Sequence, residues 1–285
     1  METNETRKHK TSVVAVAALG DWHIGAKVNA REVEYMNEYN WRIAQRRVEE
    51  FARSFAKWVN VQRAAYTIDE IAIVDLGDTI SGLIHQELLI YNEFSIPQQV
   101  AKAGQLLGWF INEISRYFDK VSFYGMPADN HSRLFKKPMA AGCAEWSMAS
   151  LVHEIAYGLV SANPKVKVFH SFKETKGIVK IADHNFLIEH GHTVKPYMGI
   201  PWYGMLRTRG LEASQRMGRP GKEFDYYMFG HWHTPFFGSG MLCNGSLMGT
   251  TEYDHQFGRY APPSQTGFLV HPAKGIFNYI PFTLE

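Results

Sequence analysis

Short apolar runs alternate with longer amphipathic stretches along the N-terminal half of the chain. Residues 1–11 are polar and charged, and we expect them to form a loose tail. Apolar residues at steps of three and four predict an amphipathic helix or helix pair over 31–61 and a second helical stretch over 96–117. Apolar runs that suit buried strands are found at 13–19, 70–75 and 121–124.

The second half of the chain is richer in strands. A helix is predicted over 138–160, and β-like runs follow it. These runs are 166–170, 177–181, 185–190, 226–229, 240–247, 266–270 and 276–280. No internal repeat, low-complexity segment or Pro/Ser-rich linker divides the sequence, so we expect a single domain over 12–285.

The composition is that of an ordinary globular protein. Of the 285 residues, 45% are hydrophobic, 20% are charged and 14% are aromatic, which excludes a fibrous or largely disordered chain. The net charge of +2 decides nothing about the partner. Because the only cysteines, Cys143 and Cys243, are far apart, we expect neither a disulfide framework nor a thiolate zinc site. A reducing, cytoplasmic setting follows as the expectation.

The N-terminus allows one alternative to that setting. Arg7, Lys8 and Lys10 precede the apolar run 13–19, and together they resemble a short signal peptide. We favour a buried first strand, because the run is short and leads directly into residues with catalytic character. No apolar run approaches the roughly 20 residues of a membrane span, so no membrane partner is expected.

Histidine and carboxylate residues recur in glycine-containing loops directly after predicted strands. The clusters are Gly20-Asp21-Trp22-His23, Gly77-Asp78, Asp129-Asn130-His131, Glu189-His190-Gly191-His192 and Gly230-His231-Trp232-His233. Taken singly, each has an ordinary explanation as a helix cap, a turn or a solvated strand face. Together they predict side chains that converge at the sheet edges. Imidazole, carboxylate and amide ligands without a thiolate suit manganese, iron or zinc in a hydrolytic site.

The order of these motifs across five successive loops resembles the calcineurin-like metallophosphoesterase superfamily, over about 19–234. The resemblance implies a four-layer α/β sandwich, with two mixed β-sheets packed face to face, helices outside and the metal site at the loop ends. It also implies two divalent metal ions. We expect manganese first, with iron, zinc and magnesium as alternatives. Two cations about 3.5–4 Å apart would clamp phosphate oxygens and share a nucleophilic hydroxide.

The superfamily's residue roles can be carried over to matching positions of this sequence. The first metal would be held by Asp21, His23, Asp78 and His233, and the second by Asp78, Asn130, His190 and His231. Asp78 would therefore bridge both ions. His131 matches the acid that protonates the leaving oxygen or stabilises the transition state. The alternative for His131 is a histidine that only orients a ligand.

Two features of these loops leave roles open. The family usually has Gly-Asn-His, whereas residues 126–129 separate Gly125 from Asn130 here, so Asp129 is a possible substitute ligand. In the fourth motif the family's ligand aligns with His190. His192 is then either a substrate contact or a partner that orients a ligand.

The residues around the metal motifs favour a phosphodiester substrate. Protein phosphatases of the superfamily continue Gly-Asp as x-x-Asp-Arg-Gly, and the phosphate-gripping Arg is absent because Gly77-Asp78 continues as Thr-Ile-Ser-Gly over 79–82. The opening Asp21-Trp22-His23-Ile24-Gly25 resembles the DNA-repair exonuclease branch and phage-encoded phosphoesterases related to it. These resemblances imply a phosphodiesterase or nuclease acting on DNA, in the cytoplasm of a bacterial or phage-infected host cell.

A basic stretch at 193–224 is a candidate contact for nucleic acid. It holds an excess of cations together with aromatic residues, and Arg207, Arg209 and Trp202 are the candidate substrate contacts. A solvated amphipathic helix with aromatic residues in the core explains the same pattern. Two other functions stay open: a phosphomonoesterase acting on nucleotides or phosphoproteins, and a non-catalytic, polymerase-associated subunit that binds nucleic acid. The sequence also leaves a homo-oligomer open.

Overall fold

The computed structural model describes residues 10–84, 88–197 and 201–285. Residues 1–9 of the expected tail lie outside the described residues. The strands are β1 Ser12–Leu19, β2 Thr67–Asp75, β3 Lys120–Gly125, β4 Val166–Ser171, β5 Gly177–Ile181, β6 His184–Ile188, β7 Tyr226–Phe229, β8 Phe236–Gly238, β9 Met241–Cys243, β10 Ser264–His271 and β11 Gly275–Thr283. The helices are α1 Trp41–Gln62, α2 Leu88–Tyr91, α3 Ile96–Ser115, α4 Met148–Val160, α5 Pro201–Arg216 and α6 Glu252–Gln256.

The strands form two mixed sheets. The first has the order β11-β10-β1-β2-β3-β4, in which β1 to β4 are parallel and β10 and β11 are antiparallel additions at one edge. The second has the order β5-β6-β7-β9-β8, with β6, β7 and β9 parallel and an antiparallel strand at each edge. Both sheets therefore bring several carboxyl strand ends to one side of the molecule.

Three buried apolar clusters define four layers. One fills the space between the first sheet and helices α1, α3 and α4, and includes Phe51, Phe110 and Phe123. The second lies between the two sheets, around Val16 and Phe186. The third cluster joins α5 to the outer face of the second sheet. The order helix, sheet, sheet, helix confirms the expected α/β sandwich. No helix in the described ranges is both long and apolar enough to cross a membrane.

The predicted helix over 31–61 is wrong before Trp41. Residues 31–40 form turns, because Val28 pairs with Tyr39 and the Asn37 side-chain amide donates to the carbonyls of Met248 and Thr250 at 2.8 Å each. The helix α1 then starts at the Asn40 cap, whose side-chain oxygen accepts from the backbone N–H of Ile43 at 3.1 Å. Long-range hydrogen bonds thus override an apolar spacing that suits a helix.

Two later boundaries are also wrong. The helix expected over 138–160 begins only at Met148, after the Ser147 cap, and residues 138–147 form an irregular loop. The strand expected over 240–247 ends at Cys243, because the following backbone turns towards β1 and Leu247 donates to the carbonyl of Asp21 at 3.1 Å. The strand β8 and the short helices α2 and α6 were not predicted at all.

Candidate metal centre

The candidate ligands lie at the carboxyl ends of strands from both sheets. Asp21 and His23 follow β1, Asp78 follows β2, Asn130 and His131 follow β3, His190 follows β6, and His231 and His233 follow β7. In the first sheet the strand ends are level, because Leu19 lies opposite Asp75 and Asp75 lies opposite Gly125. The loops after these strands therefore reach one common volume, as the sequence predicts.

Several of these residues have a backbone conformation that non-glycine residues rarely adopt. The φ angles are 52° for Asp21, 48° for His23, 49° for Asp78, 69° for His231 and 57° for His233. Each such residue costs on the order of 1–3 kcal/mol and needs surrounding structure to hold it. Backbone hydrogen bonds supply part of that support: Asp21 donates to Gly77 and His23 donates to Asp78, both at 2.9 Å. Strain of this kind gathers at functional sites.

The first ligand cluster consists of Asp21, His23 and His233. The Nε2 atoms of the two histidines lie 3.3 Å apart. The Oδ1 atom of Asp21 lies 3.5 Å from Nε2 of His233 and 4.0 Å from Nε2 of His23. Burial and the neighbouring His131 hold the pKa of His23 well below its usual value. A neutral imidazole is the form that binds a metal, so His23 is ready to ligate.

The second cluster consists of Asp78, Asn130, His190 and His231. The Nε2 atom of His190 lies 3.0 Å from Oδ2 of Asp78 and 2.9 Å from Oδ1 of Asn130. The His190 Nδ1–H donates to the carbonyl of Leu76 at 2.7 Å, which turns Nε2 towards the cluster. Burial and the charge of His190 hold the pKa of His231 well below its usual value. The longer third loop thus still brings the Asn130 amide oxygen to the cluster.

Asp78 lies between the two clusters. On one side, its carboxylate forms a set of potential ligands with His190 and His231. On the other side, it forms a second set with His23 and His131. In each set the ligand atoms lie within 4.8 Å of one another. Burial acts to raise the pKa of Asp78, but the charges of His190 and His131 outweigh it and hold the pKa well below its usual value. An anionic carboxylate flanked by imidazoles on both sides is suited to bridge two divalent cations.

His131 is oriented by two contacts. Its Nδ1–H donates to the carbonyl of Ser81 at 2.6 Å, and its backbone N–H donates to Oδ1 of Asp78 at 3.0 Å. The Nε2 atom therefore faces the cluster, 4.0 Å from Oδ2 of Asp78. The ring is part-buried and lies against His23 at 4.5 Å between centroids. The same geometry allows His131 to ligate or to transfer a proton at Nε2.

Asp129, the possible substitute ligand, has a different set of partners. Its Oδ2 accepts from the backbone N–H of Asp78 at 2.8 Å and from the Ser132 hydroxyl at 3.0 Å, while Oδ1 accepts from the Ser132 N–H at 2.6 Å. The buried carboxylate therefore ties the third loop to the loop of Asp78. It belongs to none of the candidate ligand groups among the described residues. Asp129 orients the ligand loops in this arrangement.

The four candidate substrate contacts lie in different surroundings. The His192 ring is half-buried, 5.6 Å from the ring of His190, and burial together with the charge of His190 lowers its pKa to about 4. The Trp202 ring packs on the ring of Phe236, with 4.6 Å between centroids. Phe236 is three residues beyond His233 in the sequence. Arg209 lies against the turn at Gly240, and Arg207 is exposed on α5. Within the described ranges, no contact joins either arginine to the metal ligands.

A buried hydrogen-bond chain beneath the centre was missed by the sequence interpretation. The His153 Nε2–H donates to Oδ2 of Asp75 at 2.8 Å, the His153 Nδ1 accepts from the Ser171 hydroxyl at 2.7 Å, and Oδ1 of Asp75 accepts from the N–H of Gly77 at 3.2 Å. The chain therefore holds the residue before Asp78. A Cβ at Gly125 would lie 2.4 Å from the imidazole, so only glycine leaves room for the ring. The one sequence signal was a carboxylate three residues before Asp78.

No protein-family model matches the sequence, and no curated protein sequence matches it. Among solved structures, the chain is similar to Vps29 from Entamoeba histolytica complexed with Zn²⁺, with 12% identity, 94% of this chain and 99% of that chain covered, and a TM-score of 0.35. It is also similar to a predicted phosphoesterase from Streptococcus pneumoniae, with 10% identity, coverage of 63% and 90%, and a TM-score of 0.32. A dimetal phosphatase from Danio rerio has 8% identity, coverage of 96% and 100%, and a TM-score of 0.37. These scores are too low to bear on the function of this chain.

Proposed function

We propose that the chain is a phosphoesterase of the calcineurin-like class with a dinuclear metal centre. One observation carries the proposal: the buried Asp78 carboxylate lies between two clusters of imidazole and oxygen ligands built from five strand ends. The donor set fits two divalent cations, because each cluster offers nitrogen and oxygen atoms and no thiolate. Manganese remains our first choice of ion.

More particularly, we propose a phosphodiesterase or nuclease that acts on DNA. In the loop after Asp78, Gly82 occupies the position at which a protein phosphatase would present an arginine to a phosphomonoester. The exposed faces of Trp202 and Tyr203 at the start of α5 follow the fourth motif and suit stacking against bases. A cation-rich segment beside a phosphoester site suits a polyanionic substrate.

The residues divide the reaction into binding and proton transfer. When bound, the divalent cations would supply Lewis-acid polarisation of the phosphoester. Asp21, His23 and His233 would hold one ion, while Asn130, His190 and His231 would hold the other and share Asp78 with the first. His131, fixed through Nδ1 by Ser81, would hold its proton at Nε2 and donate it to the leaving oxygen. The Asp129 carboxylate keeps the loops of Asp78 and His131 in register.

The test is hydrolysis by metal-stripped protein with manganese added back. Bis-p-nitrophenyl phosphate, p-nitrophenyl phosphate, and single- and double-stranded DNA would be compared for wild type, Asp78→Asn and the control Asp119→Asn, an exposed carboxylate before β3. We expect diester and DNA cleavage that Asp78→Asn abolishes and Asp119→Asn keeps. Activity on the monoester alone would replace the diesterase by a phosphomonoesterase. No hydrolysis of any substrate would favour a non-catalytic subunit.

A further inference from the structure

A closed loop projects from the metal centre between β3 and α4. Its neck is formed by the Met148 N–H, which donates to the Ser132 carbonyl at 2.8 Å, and by the pairing of Arg133 with Ser147. Loops of this length with adjacent ends are compact Ω-loops, and they are frequently functional. We call residues 132–147 the clamp loop.

The clamp loop is anchored to the ligands and ordered by its own hydrogen bonds. Ser132 follows His131 directly and is held by the same Asp129 carboxylate that holds Asp78. Within the loop, an Arg133 guanidinium nitrogen donates to the Lys136 carbonyl at 2.8 Å, and the Trp146 N–H donates to the Gly142 carbonyl at 3.0 Å. The position of the loop relative to the metal centre is therefore defined.

The clamp loop presents apolar side chains to solvent. The exposed fractions are 44% for Leu134, 56% for Phe135 and 58% for Trp146. Large exposed apolar groups next to a site mark a contact surface. Because the loop starts directly after His131 and closes through Arg133 and Ser147, its neck borders the volume in which a substrate would react.

The charge on the clamp loop identifies the kind of partner. The loop carries three cations, Arg133, Lys136 and Lys137, against one carboxylate, Glu145. Within the described part of the chain, none of these cations forms an ion pair. Aromatic faces among unpaired cations match a backbone of phosphates with accessible bases. In a duplex the base faces are covered, so the match is to a single strand.

We propose that the clamp loop grips single-stranded nucleic acid, with Phe135 and Trp146 stacking on bases and Lys136 and Lys137 contacting phosphates. The inference rests on the proposed phosphodiesterase function, and it adds the strand form of the substrate and the residues that select it.

The test measures binding and turnover separately. Binding of a fluorescein-labelled oligothymidylate to metal-stripped protein would be followed by anisotropy, which requires no catalysis. We expect Phe135→Ala and Trp146→Ala each to weaken binding by about 5- to 150-fold, the loss of one stacked base. Trp109→Ala on α3, which removes another exposed aromatic side chain, would leave the affinity unchanged.

Turnover and salt dependence sharpen the result. With manganese, both clamp-loop variants should raise KM for the single strand. Lys136→Gln with Lys137→Gln should reduce the slope of log affinity against log salt by about 1.4. The control Lys167→Gln, an exposed lysine on β4, should leave the slope unchanged.

Each outcome separates this inference from the proposed function. Weaker binding in the variants with no hydrolysis by wild type would support the clamp loop and contradict the phosphodiesterase. Hydrolysis by wild type with unchanged binding and KM in the variants would overturn the clamp loop alone. Oligonucleotide binding that is unaffected, together with variant-sensitive flotation on anionic phosphatidylserine vesicles, would replace the strand by a lipid surface and also overturn the inference.

Discussion

The buried chain of Asp75, His153 and Ser171 allows a stability prediction that depends on the direction of its hydrogen bonds. Asp75 and His153 are each 1% exposed in their side chains. In wild type the carboxylate accepts from His153 and from the Gly77 N–H, and the other imidazole nitrogen accepts from Ser171. His153→Ala removes the 2.8 Å donor and leaves a buried carboxylate with only the Gly77 N–H as a donor.

The expected loss of stability in each variant follows from the hydrogen-bond donors and acceptors that remain in the chain. A hydrogen bond to a charged group contributes about 1.5–3 kcal/mol, so His153→Ala should lower the free energy of unfolding by about that amount. Asp75→Asn should cost less than about 1.5 kcal/mol. The new amide can donate to His153, whose other nitrogen then donates to Ser171, while the amide oxygen still accepts from Gly77. The double variant, Asp75→Asn with His153→Ala, should be about 1–2 kcal/mol more stable than His153→Ala alone. A buried amide that lacks a partner costs less free energy than a buried carboxylate that lacks one.

The assay is urea unfolding of the metal-stripped protein at neutral pH, followed by circular dichroism. His184→Ala is the matched control, because the part-buried His184 lies 3.7 Å from Asp225, whose side chain is 53% exposed, and the loss of this pair should cost less than about 1 kcal/mol. A double variant as unstable as the sum of the two single variants would refute the reasoning. So would an Asp75→Asn variant that loses as much stability as His153→Ala.

The remaining predictions concern the metal centre. Asp78→Asn should bind less manganese at both positions, measured by elemental analysis after dialysis, and wild-type stoichiometry would contradict the bridge. His131→Gln should keep manganese and lose turnover by about 10²–10⁴-fold, whereas loss of metal would make His131 a ligand. Burial acts to lower the pKa of His190, but Asp78 raises it to about 10 without metal, so manganese binding near pH 7.5 should release a proton. Calorimetry in buffers of different ionisation enthalpy would detect that release, and an enthalpy independent of buffer would contradict it.

The His190–Asp78 pair also sets how the metal-free fold responds to pH. The folded pKa of His190, about 10, lies above the ordinary value of 6.5. The contribution of the pair to stability is therefore fully present below pH 6.5 and is lost as the pH rises through about 10. Bound metal replaces the proton at Nε2, so this dependence should vanish in the loaded protein. Thermal unfolding with and without manganese between pH 6 and 10 measures the difference.

The sandwich could be predicted because its signals are local or repetitive. Apolar runs such as 13–19 mark strands buried on both faces, and the polar residues that follow them mark loop ends. The errors occur where contacts distant in sequence decide the backbone. Asn37 pairs with the 248–250 loop, and Leu247 pairs with Asp21, and neither partner can be inferred from a local pattern. Short elements such as β8 carry too few residues for a periodic signal.

The proposed ligands could be selected from the sequence because chemistry restricts them to a few residue types, whereas the residues that orient them are of common types. Asp129 resembled a ligand in sequence, and only its three donors at 2.6–3.0 Å show what its carboxylate contacts. His153 lies in the middle of an amphipathic helix, where a histidine is most simply explained as part of the core. Its connection to Asp75 becomes visible only after β2 and α4 are packed together.

The left-handed backbones at the candidate metal centre explain why such supporting residues are needed. A strained loop relaxes unless hydrogen bonds from several elements oppose it. The Asp78 N–H donates to the carboxylate of Asp129 after β3, and the N–H of the preceding Gly77 donates to the carboxylate of Asp75 on β2. The Asp75 carboxylate is in turn held by His153 of α4. The strain at one ligand is therefore opposed by three elements, and a change in α4 that leaves every ligand in place should still alter metal affinity.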